Sequence, residues 1–451
     1  MTENTPPTPE EINALMAKAT QPGRDALFYH EYFRGKLATM PKCPVEKFED
    51  FSFWYTPGVA APCREIASSP ERVYDLTNKG NLVAIVSDGS RVLGLGDIGP
   101  EAGLPVMEGK AMIFKHFGGV DAFPVMLENS DPEAFIDTVL RIQPGFGGIN
   151  LEDIAQPKCF EILDRLREEA RIPVWHDDQQ GTATVTLAGL MNALKLVGKQ
   201  KNEIRIAFIG AGAAGVACSR LIFAWGVDPA KATVVDANGI LGAHRSDFAA
   251  GTPQHTLCQT TNRDGREGGI AEALKGADVL IAYSRPGPGV IDPEWLQTMA
   301  ANAIVFACAN PVPEIWPWEA KAAGAAVVAT GRSDFPNQVN NSLSFPGIFR
   351  GVLDVRASII TDEMCFAAAE ALADAIGPDL DTEHLLPTMM DLSIYPLQAA
   401  AVGLRAQAQG VAGISMTRDQ LLNRAEFMIG SAQSSLDVLM ETNCILPLPE
   451  D

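Results

Sequence analysis

Short, almost continuous apolar runs recur along this chain, separated by longer stretches in which apolar residues return at helical period. That is the pattern of strands buried on both faces by packed helices. Apolar runs at 81–88, 120–127, 146–149 and 172–175 predict strands in the first part. Helices are predicted from Asp131 to about Ile142, through Arg167, and from Thr182 to about Val197. Further strands are predicted at 204–209, 232–235, 279–283, 304–309 and 326–330, with a helix to about Trp225 after the first of them. Strands alternating with helices imply a parallel, doubly wound sheet, so the fold class is α/β. Beyond Arg356 the chain reads helical to its end. At the other end, Met1–Pro7 is polar and Pro-rich, and Thr8-Pro9-Glu10-Glu11 reads as a capped helix start. The aromatic segment Asp25–Lys36, with Phe28, Tyr29, Tyr32 and Phe33, reads as a packing or dimer face.

A chain of 451 residues is too long for one ordinary core, so two domains are expected. The net charge of −21 argues against nucleic acid and anionic membrane as partners, since both select a positive surface. It also means that an anionic substrate must be held by a local cation or a metal. The eight cysteines form no CxxC pair, which points away from a zinc site or a disulfide framework. No apolar run reaches the length of a membrane span, and the N-terminus has no secretory pattern. A cytoplasmic soluble protein is expected.

Chemistry concentrates at strand ends. Asn150-Leu151-Glu152-Asp153 and His176–Thr182 place Glu152, Asp153, Asp177 and Asp178 in two acidic pairs. Burying unpaired carboxylates is costly, and convergence on Mg²⁺ or Mn²⁺ would remove that cost; solvated turn acids and helix caps are the plain alternative. The loop Asp88-Gly89-Ser90-Arg91, followed by Gly94, Gly96 and Gly99, offers Arg91 as a carboxylate fork. No helix is predicted at once after it, so a nucleotide role is rejected there. Lys110 is placed at the opening of an apolar helix, Ala111–Phe117, where the helix end is already positive. Burial there would lower its pKa, and a surface lysine is the alternative. Tyr55, before the Pro57-Gly58 turn, is structural unless an acid is needed nearby. The strongest motif is Gly210-Ala211-Gly212-Ala213-Ala214-Gly215, with a strand before it and a helix after it. Its glycines let backbone N–H groups approach a pyrophosphate at the helix N-terminus. Asp236 ends the next strand, where an acid binds an adenosine ribose hydroxyl. Later strands end in Ser284-Arg285-Pro286-Gly287, Asn310-Pro311 and Gly331-Arg332-Ser333-Asp334, with Asn340-Asn341 beyond.

These motifs together suggest metal-assisted oxidation of a hydroxy acid. The sequence resembles the malic enzymes in their short bacterial form, over nearly the whole chain and most densely from Tyr55 to Arg356. The resemblance rests on Tyr55–Ala60, Ser87–Asp97, Pro105–Lys110, Phe146–Ile154, His176–Thr182, and Asn340-Asn341 before Phe345-Pro346-Gly347. It implies two domains: an N-terminal α/β malic-type domain, 1–158, and a Rossmann-type NAD(P)-binding domain with C-terminal helices, 159–451. It implies oxidative decarboxylation of L-malate to pyruvate and CO₂. Glu152, Asp153 and Asp178 would be the metal ligands. Arg91 would hold a malate carboxylate, and Asn310 and Asn341 would orient substrate, Asn310 the cofactor too. Lys110 would be the general base and Tyr55 the general acid, with Asp177 a second candidate for proton transfer. The dinucleotide would lie on Gly210, Gly212, Ala213, Ala214, Gly215, Asp236, Asn238 and Ser284.

Asp236 favours NAD, and so does Asn238, which stands where NADP-using relatives often place a cation. His244 and Arg245 are close enough in sequence to meet a 2′-phosphate, which keeps NADP open. The bulky Phe51, Phe53 and Trp54 and the segment Thr388–Gln398 depart from the family, and no acyltransferase-like extension is expected. A homodimer is expected, its active site completed across the interface. Three alternatives differ in chemistry: a malolactic or oxaloacetate-decarboxylating activity, a metal-free amino-acid dehydrogenase, and a catalytically silent dinucleotide-binding protein.

Overall fold

Strands that are apolar on both faces must be covered on both faces, and here they build two sheets flanked by helices. The computed structural model describes residues 8, 10, 22–23, 25–128 and 131–449. The first sheet is all parallel in the order β2-β1-β3-β4. Its strands are β1 (Leu82–Ser87), β2 (Asp121–Met126), β3 (Gly148–Leu151) and β4 (Val174–His176). Val86 pairs with Leu151, and Leu151 with His176. This register aligns the carboxyl ends of three strands. Asp88, Glu152-Asp153 and Asp177-Asp178, each just past a strand end, are therefore brought together.

The second sheet has the order β10-β9-β8-β5-β6-β7. Its strands are β5 (Ile206–Ile209), β6 (Ala232–Asp236), β7 (Gly239–Ile240), β8 (Val279–Ala282), β9 (Ala303–Ala307) and β10 (Ala325–Thr330). It is parallel except for β7, which turns back against β6. The Thr182–Val197 helix joins the two halves, buried along most of its length, and ends at Gly198 in the left-handed conformation.

Two expectations need correction. A helix does follow the glycine-rich loop at once: Pro100–Gly118 begins directly after Gly99. Lys110 therefore lies well inside that helix, with Pro105 tolerated in its interior, and not at a positive N-terminus. The helix dipole has no special effect on it there.

Beyond Arg356 the helices Asp362–Ala375, Ile394–Ala408 and Arg418–Glu441 follow Phe345–Asp354, as expected. The first and last of these four pack against Pro100–Gly118. Arg350, fully buried, bonds Asp354 at 2.7 Å and Asn81 at 2.6 Å, and Arg424 reaches the same aspartate at 2.7 Å. The divergent 388–398 segment supplies Tyr395, whose ring stacks on Phe117 of the lysine-bearing helix with centroids 5.1 Å apart. The capped start expected at Thr8–Glu11 and the tail Met1–Pro7 lie largely outside the described residues. Residues 25–68 form an arm with exposed Leu27, Phe28, Tyr32, Phe48, Phe53 and Trp54. It is tied down by Lys36, whose N–H donates to Glu108 at 3.0 Å and whose ammonium donates to the Pro105 carbonyl at 2.9 Å.

Candidate active site

Lys110 is the centre of the acidic cluster. Its Nζ stands 2.5 Å from Asp177 Oδ2, 2.9 Å from Glu152 Oε1 and 4.5 Å from the centroid of the Phe345 ring. Burial acts to lower its pKa, as the sequence suggested, but Asp177 and Glu152 outweigh burial and raise it. Asp177 is fixed from behind by Trp175 Nε1 at 3.1 Å. A side chain on Gly181 would overlap Asp177 Oδ1, so this turn requires glycine. Glu152 accepts from Asn150 Nδ2 at 2.8 Å.

Asp153 has φ of +53°, a left-handed conformation that Asp tolerates better than most residues, and its N–H donates to Asp178 Oδ2 at 2.8 Å. Burial, then the charge of Asp178, pushes its carboxyl up to about 8. Burial raises Glu152 well above the carboxylate range, with Asp178, Asp177 and Asp153 adding to it. Among the described residues, buried Asp153 Oδ2, Asn150 Oδ1 and both ring nitrogens of His176 have no hydrogen-bond partner. Carboxylates crowded out of water, one with an orphaned oxygen, are what a divalent cation satisfies, so Glu152, Asp153 and Asp178 fit Mg²⁺ or Mn²⁺. Among the described residues no group of three or more His, Cys, Asp or Glu side chains is already arranged to hold a metal ion.

The dinucleotide loop follows from its glycines. Gly210 has φ of +116°, and a side chain on Gly215 would overlap the Gly210 carbonyl, so helix and strand approach closely only with glycine at both. A side chain on Gly212 would meet only Gln156 Oε1, at 3.9 Å; the Gln156 side chain pairs with Gln254 at 3.5 Å, while Gln254 also donates to the Ala211 carbonyl at 3.0 Å. Gln156 lies three residues past Asp153, so the loop at Gly210–Gly215, with Ala213 and Ala214 opening its helix, borders the acidic cluster. At the far end, Asp236 accepts from the Asn238 N–H at 2.9 Å and pairs with Arg245.

Ser284 and Ala309, the residue before Asn310, are held by a residue the sequence reading missed. The buried carboxylate of Glu314 accepts from the Ser284 N–H at 2.8 Å, the Ser284 hydroxyl at 3.0 Å and the Ala309 N–H at 3.0 Å. Arg332 adds a bond to the Pro311 carbonyl at 2.8 Å. Asn310 is exposed, beside Gly331 and facing the Gly94 loop. Arg91, also exposed, rests on the Leu93 carbonyl at 2.9 Å, and its N–H donates to the Asp153 carbonyl at 3.0 Å. Asn341 packs against Gly181. Asp88, overlooked as well, is fully buried and pairs with Lys158 at 2.5 Å, fixing the Arg91 loop through Ser90. Tyr55 stands apart: its residue is 70% exposed, and its side chain makes no hydrogen bond among the described residues.

Residues 34–167 match the family model "Malic enzyme, N-terminal domain" and residues 179–407 match "Malic enzyme, NAD binding domain". A bifunctional malic/malolactic enzyme of Bacillus subtilis is 47% identical over 401 residues, spanning 89% of this chain and 97% of that protein. An NAD-dependent malic enzyme of Geobacillus stearothermophilus is 49% identical over 379 residues, or 84% and 78% of the two chains. The crystal structure of Entamoeba histolytica malic enzyme matches with a TM-score of 0.94 and 46% identity, covering 99% of this chain and 94% of that one. Both halves of the sequence and the fold thus agree with the arrangement of lysine, carboxylates and glycine loop, and the chain belongs to the malic enzyme family.

Proposed function

We propose that this chain oxidises L-malate with NAD or NADP and releases pyruvate and CO₂, as a metal-dependent malic enzyme. The observation that carries the reading is the buried Lys110, held by Asp177 and Glu152 beside a crowded carboxylate cluster that borders a dinucleotide loop. No helix among the described residues is long and apolar enough to cross a membrane.

Glu152, Asp153 and Asp178 would hold Mg²⁺ or Mn²⁺, which when bound supplies Lewis acidity to the C2 oxygen and the adjacent carboxylate. Arg91, at the mouth, takes a substrate carboxylate, with Asn310 and Asn341 orienting the carbon skeleton. Lys110, having passed its own proton to Asp177, receives the C2 hydroxyl proton as hydride leaves C2 for the nicotinamide. Asp177, 2.5 Å away, is placed to share that proton. The C4 carboxylate departs as CO₂, its bonding electrons passing to C3, and Tyr55 protonates C3 to complete pyruvate. Buried walls around Lys110 keep water from competing for these protons.

The exposure of Tyr55 supports a homodimer. An arm rich in exposed aromatics is an interaction surface, and a tyrosine as exposed as Tyr55 can serve the site of a second copy.

The test is absorbance at the nicotinamide band with L-malate and Mn²⁺, with NAD or NADP, repeated with chelator and with Lys110→Ala. The expected outcome is metal-dependent reduction with pyruvate as product, and a fall of about 10²–10⁴-fold in the variant. Reduction that survives the chelator would sink the metal assignment, and no reduction with either dinucleotide would sink the oxidoreductase reading. The name of the Bacillus subtilis relative favours a second activity, and lactate among the products would establish it.

A further inference from the structure

A guanidinium has five N–H donors and no acceptor. In Arg245 all five are committed within the protein. Nη1 donates to Asp236 Oδ1 at 3.0 Å and to the Gly239 carbonyl at 3.4 Å. Nη2 donates to Asp236 Oδ2 at 2.9 Å and to Asp247 Oδ2 at 2.6 Å. Nε donates to Asp247 Oδ1 at 2.7 Å. The Phe248 ring lies beside it, 5.3 Å from centroid to guanidinium carbon.

Arg245 is the cation that the sequence offers to a 2′-phosphate, yet its fork is saturated. Two carboxylates on one guanidinium leave the cluster with a net negative charge, which repels a phosphate carrying about −1.5 to −2. A ribose 2′-hydroxyl instead brings a donor: Asp236 Oδ1 already accepts from Asn238 and Arg245, but Oδ2 accepts only from Arg245 and retains a lone pair for it. Of the two carboxylates, Asp247 is the more exposed, at 45% of its side chain against 16% for Asp236. Asp247 lies off the strand end where a ribose would dock, and two of the five bonds go to it.

We propose that Asp247 is a specificity-determining residue: it clamps Arg245 onto Asp236 and so holds the adenosine end to NAD over NADP. The inference rests on the dinucleotide reading above. Removing Asp247 frees two bonds of the fork and one negative charge, and the released guanidinium then serves a 2′-phosphate.

The experiment is calorimetric titration of the full chain with adenosine 5′-monophosphate and adenosine 2′,5′-bisphosphate, for wild type, Asp247→Ala and Asp247→Asn. Wild type is expected to favour the monophosphate. Asp247→Ala is expected to tighten the bisphosphate about tenfold relative to the monophosphate, with Asp247→Asn smaller in the same direction. The NADP to NAD ratio of kcat/KM moves the same way, and adding Arg245→Ala cancels the gain. An unchanged ratio in both Asp247 variants, a gain that persists without Arg245, or a wild type that prefers the bisphosphate would each overturn the proposal. Failure of wild type to bind either nucleotide would overturn the dinucleotide reading and this inference with it.

Discussion

Three donors from two loops end on one buried carboxylate, Glu314. It joins Ser284, after β8, to Ala309, which precedes Asn310, so the two loops proposed to hold cofactor and substrate share one anchor. Glu314→Ala leaves buried N–H groups unpaired, at about 1–3 kcal/mol each. The expected result is a raised KM for the dinucleotide together with a lowered kcat, and Glu314→Gln, which keeps a carbonyl acceptor, should recover most of both. If Ala and Gln variants lose activity equally, the anchor is not acting through those bonds. The sequence displayed Glu314 only as an acid between Pro313 and Ile315, which resembles any exposed turn acid. Its burial is decided by β8 and β9 lying side by side, and pairing of strands distant along the chain leaves no local mark.

Among elements, the loop after Pro132–Ile142 depends on a charged side chain from elsewhere in the chain. Lys79 donates to the carbonyls of Gln143 at 3.0 Å, Pro144 at 3.1 Å and Phe146, satisfying acceptors that a helix end leaves open. Burial, with Arg171 adding to it, pushes the Lys79 ammonium down to about 8. Between that value and the ordinary 10.5 the unfolded chain keeps a proton that the folded chain has lost, so this lysine makes stability rise with pH across the window. Denaturant unfolding of wild type and Lys79→Met should therefore diverge in favour of wild type from pH 8 to 10.5. The divergence expected is on the order of 1–2 kcal/mol, because the three carbonyls offset part of the burial cost. A constant difference would show that Lys79 stays charged throughout. The Pro100–Gly118 helix carries the parallel lesson: its start is hidden locally because Pro105 and Gly109 look like breakers, while packing against the C-terminal helices overrides them.

At the scale of the whole molecule, Tyr55 and Lys110 belong to one proposed reaction, yet Tyr55 is exposed and Lys110 is buried. If a second copy supplies Tyr55, mixing Tyr55→Phe with Lys110→Ala should restore activity that neither variant has alone. A randomised mixture of dimers is half heterodimer, and each heterodimer carries one intact site, so about a quarter of wild-type activity is expected. Recovery should follow subunit exchange, and its absence in demonstrated heterodimers would place both groups in one subunit.

The sequence by itself determined the strand-and-helix order, the dinucleotide loop and the carboxylate set, because each is written in local period or in motifs whose residues are neighbours in the chain. Glycines at 210 and 215 are demanded by backbone approach whatever surrounds them. The tertiary structure alone decided which way Lys110 titrates, since that depends on Asp177 and Glu152 arriving from two other strands. It also decided that Arg245 is bound by both Asp236 and Asp247, and that Tyr55 faces outward. Charges and exposure follow from distances between residues far apart in sequence, and those distances exist only once the sheets have formed.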